Sequence, residues 1–350
     1  MWDLVGKRYT FFLLSAWVVV PGLLSLTLFG LPLSIDFTGG SFLELSFVQG
    51  SSIPPAEIVE IFAVQGLTDT KVQTSGEGTL LIRSKVIDPS IKQQLGETLR
   101  QRFGEFSELR FESVGPTVSS EVQRQAVLAV AAASLGILLY ISWAFRHVPN
   151  PLRYGTCAIL AVLHDAGVVV GLASIFGLIF GWEVDALFLT ALLTIIGFSV
   201  HDSIVVFDRI RENIRRRPEE TLESVVNHSI IQTLDRSINT SLTVVLTLFA
   251  LILFGGVTIR YFVLVLLIGI VSGTYSSIFN ASLLLVEWER RPQRLLYALS
   301  FLLPPLGAVA GLVQALRQEG SRIVARNALA AAGVGVVTWA ALFALRSVMA

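Results

Sequence analysis

The chain has 350 residues, of which 53% are hydrophobic and only 15% charged, and its mean hydropathy is +0.70. Soluble chains carry about 25% charged residues, so an ordinary soluble domain is excluded. The 26 basic and 26 acidic side chains cancel, no basic run with interleaved aromatics marks a nucleic-acid partner, and the single Cys157 excludes both an internal disulfide framework and zinc held by cysteine clusters.

Taken in chain order, the first apolar run, Phe11 to Leu31, follows Lys7 and Arg8 in the manner of a signal peptide. Its length and the lack of a small-x-small cleavage site make it an uncleaved span. Further runs of the length that crosses a bilayer fall at 122–145, 156–180, 186–207, 238–255 and 261–286. The expected organisation is a first span (1–34), an exported α+β domain (35–120), a five-span bundle (121–290) and a C-terminal extension (291–350) with one or two membrane segments.

Within the polar region, Ser41 to Phe47 alternates as a strand does, and Pro54 to Gln65 has helical spacing. Strands are expected near 69–74 and 79–86, on either side of Ser75-Gly76-Glu77-Gly78. Asp88 and Pro89 supply an N-cap and a first-turn proline for a helix reaching Phe103, and Leu109 to Val114 closes the series as a strand. The order βαββαβ is the ferredoxin-like pattern. The region has no histidine, cysteine or glycine-rich phosphate loop, which favours a binding or mechanical domain over a catalytic one.

Basic residues set the orientation. Lys7, Arg8, Arg146, Arg153, Arg209, Arg211, Arg215 to Arg217, Arg290, Arg291 and Arg294 all fall on one side of the six spans, which is the cytoplasmic side. The loops 181–185 and 255–260 hold only Arg260. The N-terminus is therefore expected in the cytoplasm and the 35–120 domain outside. Beyond the sixth span, Leu295 to Leu316 has Pro304-Pro305 at its centre, which a straight helix does not tolerate. A re-entrant or interfacial hairpin followed by one span at 327–345 is the expectation there.

Few charges lie inside the spans, and a carboxylate in hydrocarbon is costly enough to suggest a function. Asp202, preceded by His201, lies about 24 Å along a helix from Ala186. Arg236 lies about 28 Å from Gly255 on the next, antiparallel span, so the two reach matching depth and are predicted to pair. Such a pair offers the carboxylate two environments, as a proton carrier needs. His164 and Asp165 lie about 18 Å from Arg153, near mid-membrane, where a proton role and plain hydrogen bonding to Ser or Thr of neighbouring helices are both open. Asp208, Arg209 and Arg211 read as interface anchors whose stems snorkel. Gly167/Gly171 and Gly269/Gly273 have the G-x-x-x-G spacing of close helix packing, although glycine is also simply common in membrane helices.

Five stretches carry a family resemblance. Ser34-Ile35-Asp36-Phe37-Thr38-Gly39-Gly40 resembles the D-F-T-G-G signature of the SecD/SecF protein-export family, and Val114-Gly115-Pro116 its V-G-P entry motif. Ala161 to Asp165, Ile196 to Asn213 and Arg236 to Leu242 resemble the SecF branch in particular, and the matches run in the expected order from about residue 6 to 287. The resemblance implies half of a pseudo-symmetric twelve-span RND-type unit, a polytopic α-helical inner-membrane protein with a periplasmic domain. It implies a SecD partner that completes the unit, the SecYEG channel, in many bacteria YajC, and unfolded preproteins whose late translocation draws on the proton-motive force. Membrane lipids surround it, and no cofactor, metal or enzymatic activity is implied. By motif, Asp202 and Arg236 match the family's embedded Asp and Arg implicated in proton conduction, with His201 where the family often has Asn; His201, His164 and Asp165 join them as candidates, and Asp36, Gly39 and Gly40 are the signature residues. Two other classes share some of these features: an RND-type proton-coupled exporter of small molecules or lipids, and an intramembrane enzyme using His164, Asp165 and Asp202.

Overall fold

The structure is a computed structural model that describes residues 2–47, 53–75, 79–148, 150–291, 293 and 322–349. Six helical segments are long and apolar enough to cross a membrane. They are α1 (Arg8–Phe29), α5 (Pro116–Ala144), α6 (Pro151–Phe180), α7 (Ala186–Arg216), α8 (Leu222–Phe254) and a sixth made of α9 (Val257–Tyr275), a π turn (Ser276–Ala281) and α10 (Ser282–Arg290). The chain is a multi-pass membrane protein. Each run extends past its apolar core because polar residues at the ends, such as Arg209 to Arg216 on α7, are themselves good helix formers.

Two compact units divide the chain: Leu33–Val130 with Glu183–Leu189, and Met1–Pro32 with Ala131–Trp182 and Thr190–Ala350. The first unit holds α2 (Ile35–Thr38), β1 (Gly40–Phe47), α3 (Pro55–Val64), β2 (Lys71–Ser75), β3 (Thr79–Ser84), α4 (Pro89–Phe103) and β4 (Phe106–Val114). The sheet order β2-β3-β1-β4, antiparallel throughout, is the ferredoxin-like arrangement the alternation predicts. Leu43, Leu45 and Phe47 point to one face of β1 and meet Leu80, Ile82, Ile58, Phe62, Leu95 and Leu99 in one buried cluster. The strand β4 starts three residues before the predicted Leu109, because an edge strand is set by its pairing with β1, and its exposed Ser107, Glu108 and Arg110 hide it from a hydrophobicity reading. Asp88 takes the N-cap position before Pro89 and its carbonyl accepts Lys92 N–H at 2.9 Å, but its carboxylate makes no capping bond.

In the second unit α1 lies along α6 with no room for a side chain between them. A Cβ on Gly171 would sit 2.6 Å from Gly22 Cα, and Ser25 and Ser174 share a hydrogen bond of 2.9 Å beside that contact. The G-x-x-x-G spacing of the sixth segment works in the same way: a Cβ on Gly269 would be 2.1 Å from Ile195 Cδ1, and one on Gly273 3.2 Å from Ser199 Cβ, so α9 closes onto α7. The amino terminus is tied down by Asn227 of α8, whose Oδ1 accepts Leu4 N–H at 2.8 Å. A buried ion pair also holds it, Arg8 Nε to Glu287 Oε2 at 3.0 Å. Beyond α10 the predicted Leu295 to Leu316 hairpin lies outside the described residues. The later segment forms a helix, α11 (Arg322–Met349), whose apolar stretch is Arg326–Leu342.

Candidate functional site

Asp165 sits on α6 with no exposed surface. Its Oδ2 accepts Ser199 Oγ of α7 at 2.6 Å and Ser276 Oγ of the π turn at 2.6 Å. Its Oδ1 accepts Ser272 Oγ of α9 at 2.9 Å and faces His164 Nδ1 at 3.1 Å. A carboxylate offers about four lone-pair sites, and three are met here by serine hydroxyls, with the histidine nitrogen facing the fourth. Three helical segments therefore converge on one side chain. The second of the two open readings of His164 and Asp165, hydrogen bonding to hydroxyls of neighbouring helices, is what forms around Asp165. The serines themselves escaped the sequence reading. Their signal was present: Ser272 and Ser276 are four apart on either side of Gly273, and Ser199 is one turn before Asp202.

Asp202, on α7, is 2% exposed. Its Oδ1 faces His201 Nδ1 at 3.6 Å, beyond good hydrogen-bond distance, and its Oδ2 is buried with no hydrogen-bond partner among the described residues. Ser203 Oγ of α7 and Ser237 Oγ of α8 are likewise buried and unpartnered. The predicted ion pair does not form: among the described residues Asp202 and Arg236 are not within 4.0 Å, and Arg236 acts on the carboxylate only as a charge through space. Counting residues fixes position along a helix but not rotation about its axis. Asp202 is turned into the chain, whereas Arg236 is exposed and His201 has 64% of its side chain uncovered. His201 and Arg236 are thus two exposed basic side chains on spanning helices.

Asp208, Arg209 and Arg211, expected as anchors, are paired along α7 and to α8. Arg211 bonds Asp208, Arg209 bonds Glu212, and Arg209 Nε donates to Gln232 Oε1 of α8 at 2.7 Å. Among the described residues no three His, Cys, Asp or Glu side chains gather as a metal site would require.

The signature residues occupy a joint within the first unit. Asp36 Oδ2 accepts Ala186 N–H at 2.9 Å and Asp185 Oδ1 accepts Phe188 N–H at 2.8 Å, so two carboxylates satisfy the free amides at the start of α7. Burial raises the proton affinity of Asp185 and the Phe188 amide opposes that rise, while the Asp36 charge adds to it. Gly39 (φ +72°) and Gly40 (φ +116°) occupy backbone that other residues rarely adopt, and a Cβ on Gly40 would lie 2.6 Å from Ser84 O. A parallel bridge joins Leu33 to Val184, and Gln123 of α5 donates to Phe37 O. The glycines and the aspartate of the signature are thus used to knit three chain segments together.

Comparison with known proteins assigns the family. The family described as "Protein export membrane protein SecD/SecF, C-terminal" matches residues 94–291. The protein translocase subunit SecF of Anaerolinea thermophila is 52% identical over 291 residues, covering 83% of this chain and 94% of that protein. That of Thermobaculum terrenum is 53% identical over 303 residues, covering 83% and 95%. Among solved structures, SecDF of Thermus thermophilus superposes with a TM-score of 0.70 at 32% identity, over 83% of this chain and 39% of that longer one. The chain belongs to the SecD/SecF protein-export membrane protein family, on its SecF branch.

Proposed function

We propose that this chain is the SecF-type subunit of a bacterial Sec export machine and that, with SecD, it uses the proton-motive force to drive late stages of preprotein translocation. The observation that carries this reading is Asp202: a carboxyl group inside a spanning helix, almost wholly buried, with one oxygen unpartnered among the described residues and with His201 and Arg236 exposed on spanning helices. A charge left in that state costs several kcal/mol, on the order of 3 or more. Gaining a proton, or meeting a partner that brings counter-charge, removes the cost. A carboxyl with two such options is able to take a proton on one side and release it on the other.

Arg236 and His201 are open to the second half of the unit, which SecD supplies. Next to Arg236 an apolar groove of about 470 Å³, lined by Ile238, Leu242, Val245, Tyr275 and Phe279 among others, suits helices of that partner. In this reading the N-terminus lies in the cytoplasm and the sheet domain in the periplasm of the inner membrane, as the basic loops indicate. Proton passage at Asp202 changes its interaction with Arg236 and tilts helices, and the exported domain moves against the emerging chain. SecYEG, and in many bacteria YajC, are the expected neighbours. The work is mechanical, with no bond made or broken and no cofactor.

The test is Asp202→Asn in the full chain, co-expressed with SecD. Proton-dependent export of a secreted protein should be lost while SecD still co-purifies, and retention of proton-dependent export would sink the proposal. Affinity capture from native membranes without SecD and SecYEG would overturn the assembly.

A further inference from the structure

We propose that Asp165 is a fixed hydrogen-bond acceptor that positions the Asp202 helix, and not a second proton carrier. The inference rests on the proton-coupled reading of Asp202 and concerns how that site is held. A side chain that exchanges protons needs an oxygen whose surroundings alternate. Asp165 has none, since Ser199 and Ser276 donate to one oxygen and Ser272 to the other, with His164 Nδ1 also 3.1 Å from it. Ser199 comes from α7 and Ser272 and Ser276 from the sixth segment, and none of the carboxylate is exposed.

The tie to Asp202 is direct along the chain. Ser199 precedes Asp202 by three residues on α7, so both lie on adjoining positions of one helix face. Pulling Ser199 onto Asp165 fixes the rotation of α7 and with it the inward aim of Asp202. The approach is possible because Gly273, between Ser272 and Ser276, has no side chain. A Cβ there would stand 3.6 Å from Asp165 Oδ2 and 3.2 Å from Ser199 Cβ. Asp165, Ser199, Ser272 and Ser276 form the pin, and Asp202 is what it aims. Asp165 is thus a positioning residue: it acts on proton coupling through α7.

The experiment compares Asp165→Asn with Asp202→Asn and with the double variant Ser199→Ala/Ser276→Ala. Each is made in the full chain with SecD and read as proton-dependent export across a range of external pH at matched membrane levels. An amide still offers one oxygen to two hydroxyls and donates to a third, so Asp165→Asn should retain export within about fivefold of the unmodified protein. Because Asp202 is re-aimed, the pH of half-maximal export should shift in both Asp165→Asn and the double variant, by about half a unit or more. Asp202→Asn should show no proton-dependent export at any pH. If Asp165→Asn is as inactive as Asp202→Asn, Asp165 carries protons itself and the inference fails. If it is active with an unmoved profile, the cage is mere packing and the inference also fails. If Asp202→Asn keeps proton-dependent export, the underlying reading of Asp202 fails, an outcome distinct from the other two.

Discussion

Asp165 and Asp202 both lie in spanning helices, both are buried, and each follows a histidine, yet three serine donors bond both oxygens of the first while the second has an oxygen with no partner among the described residues. The same dipeptide thus appears in two physical states. Around Asp165 the desolvation cost is offset by charge-assisted hydrogen bonds from three segments, and the product is rigidity. Around Asp202 the cost is left standing, and the product is a group whose proton occupancy can respond to its surroundings. Burial alone does not distinguish the two carboxyl groups; incomplete satisfaction does, and the proposed proton role of Asp202 rests on it.

The contrast is open to several tests, in falling order of expected effect. Asp202→Asn should abolish proton-dependent export outright, read with a secreted reporter under a controlled proton gradient. Asp165→Leu should act on folding: it strips the acceptor from Ser199, Ser272 and Ser276, of which only Ser276 keeps another partner, Gly273 O, at a cost of about 3 kcal/mol, measurable as unfolding by denaturant in detergent. Equal stability of the two variants would erase the distinction between them. Gly269→Ala would press a methyl group into Ile195 where α9 closes on α7, and should cost about 1–3 kcal/mol in the same assay.

Asp185 extends the comparison to a carboxylate outside the spans. Burial is the main cause that lifts its proton affinity above the ordinary value of 3.8, so the folded chain holds this proton more tightly than the unfolded one. Its contribution to stability is full below 3.8 and fades as pH rises through the higher folded value. Asp185→Asn should flatten that part of the stability–pH curve, and an unchanged slope would reject the assignment. Ser272→Ala, which removes one serine donor among three, should cost least, about 0.6 kcal/mol.

Much of this molecule is legible in its sequence. The six spans follow from apolar length, and the sheet order from alternation and the βαββαβ succession, because both depend on periodicities carried by many residues. Asp202 was visible because a single charge in hydrocarbon is conspicuous. The cage around Asp165 was not, since serines are common in membrane helices and nothing in a linear reading says that Ser199, Ser272 and Ser276 turn toward one atom pair. The Asp202–Arg236 ion pair failed for the converse reason: depth can be counted, but azimuth depends on how whole helices roll against each other. Likewise the start of α7 shows no capping serine or threonine; its free amides are met by Asp36, 150 residues away in the chain, together with the neighbouring Asp185.

The π turn at Ser276–Ala281 bears on how this sequence can tolerate change. Such a turn holds one residue more than the helix around it, and each residue of an α-helix advances the phase by about 100°. Were the same residues wound as plain α-helix throughout, everything after this stretch would swing through about that angle. Glu287 would then face away from Arg8, its partner at 3.0 Å. The irregular turn therefore acts as a phase adjuster, allowing one helix to satisfy Asp165 at one level and the amino terminus at another. Deletion of one residue within Ser276–Ala281, which the turn can absorb by becoming plain α-helix, should therefore be better tolerated than deletion of one residue between Ser282 and Glu287.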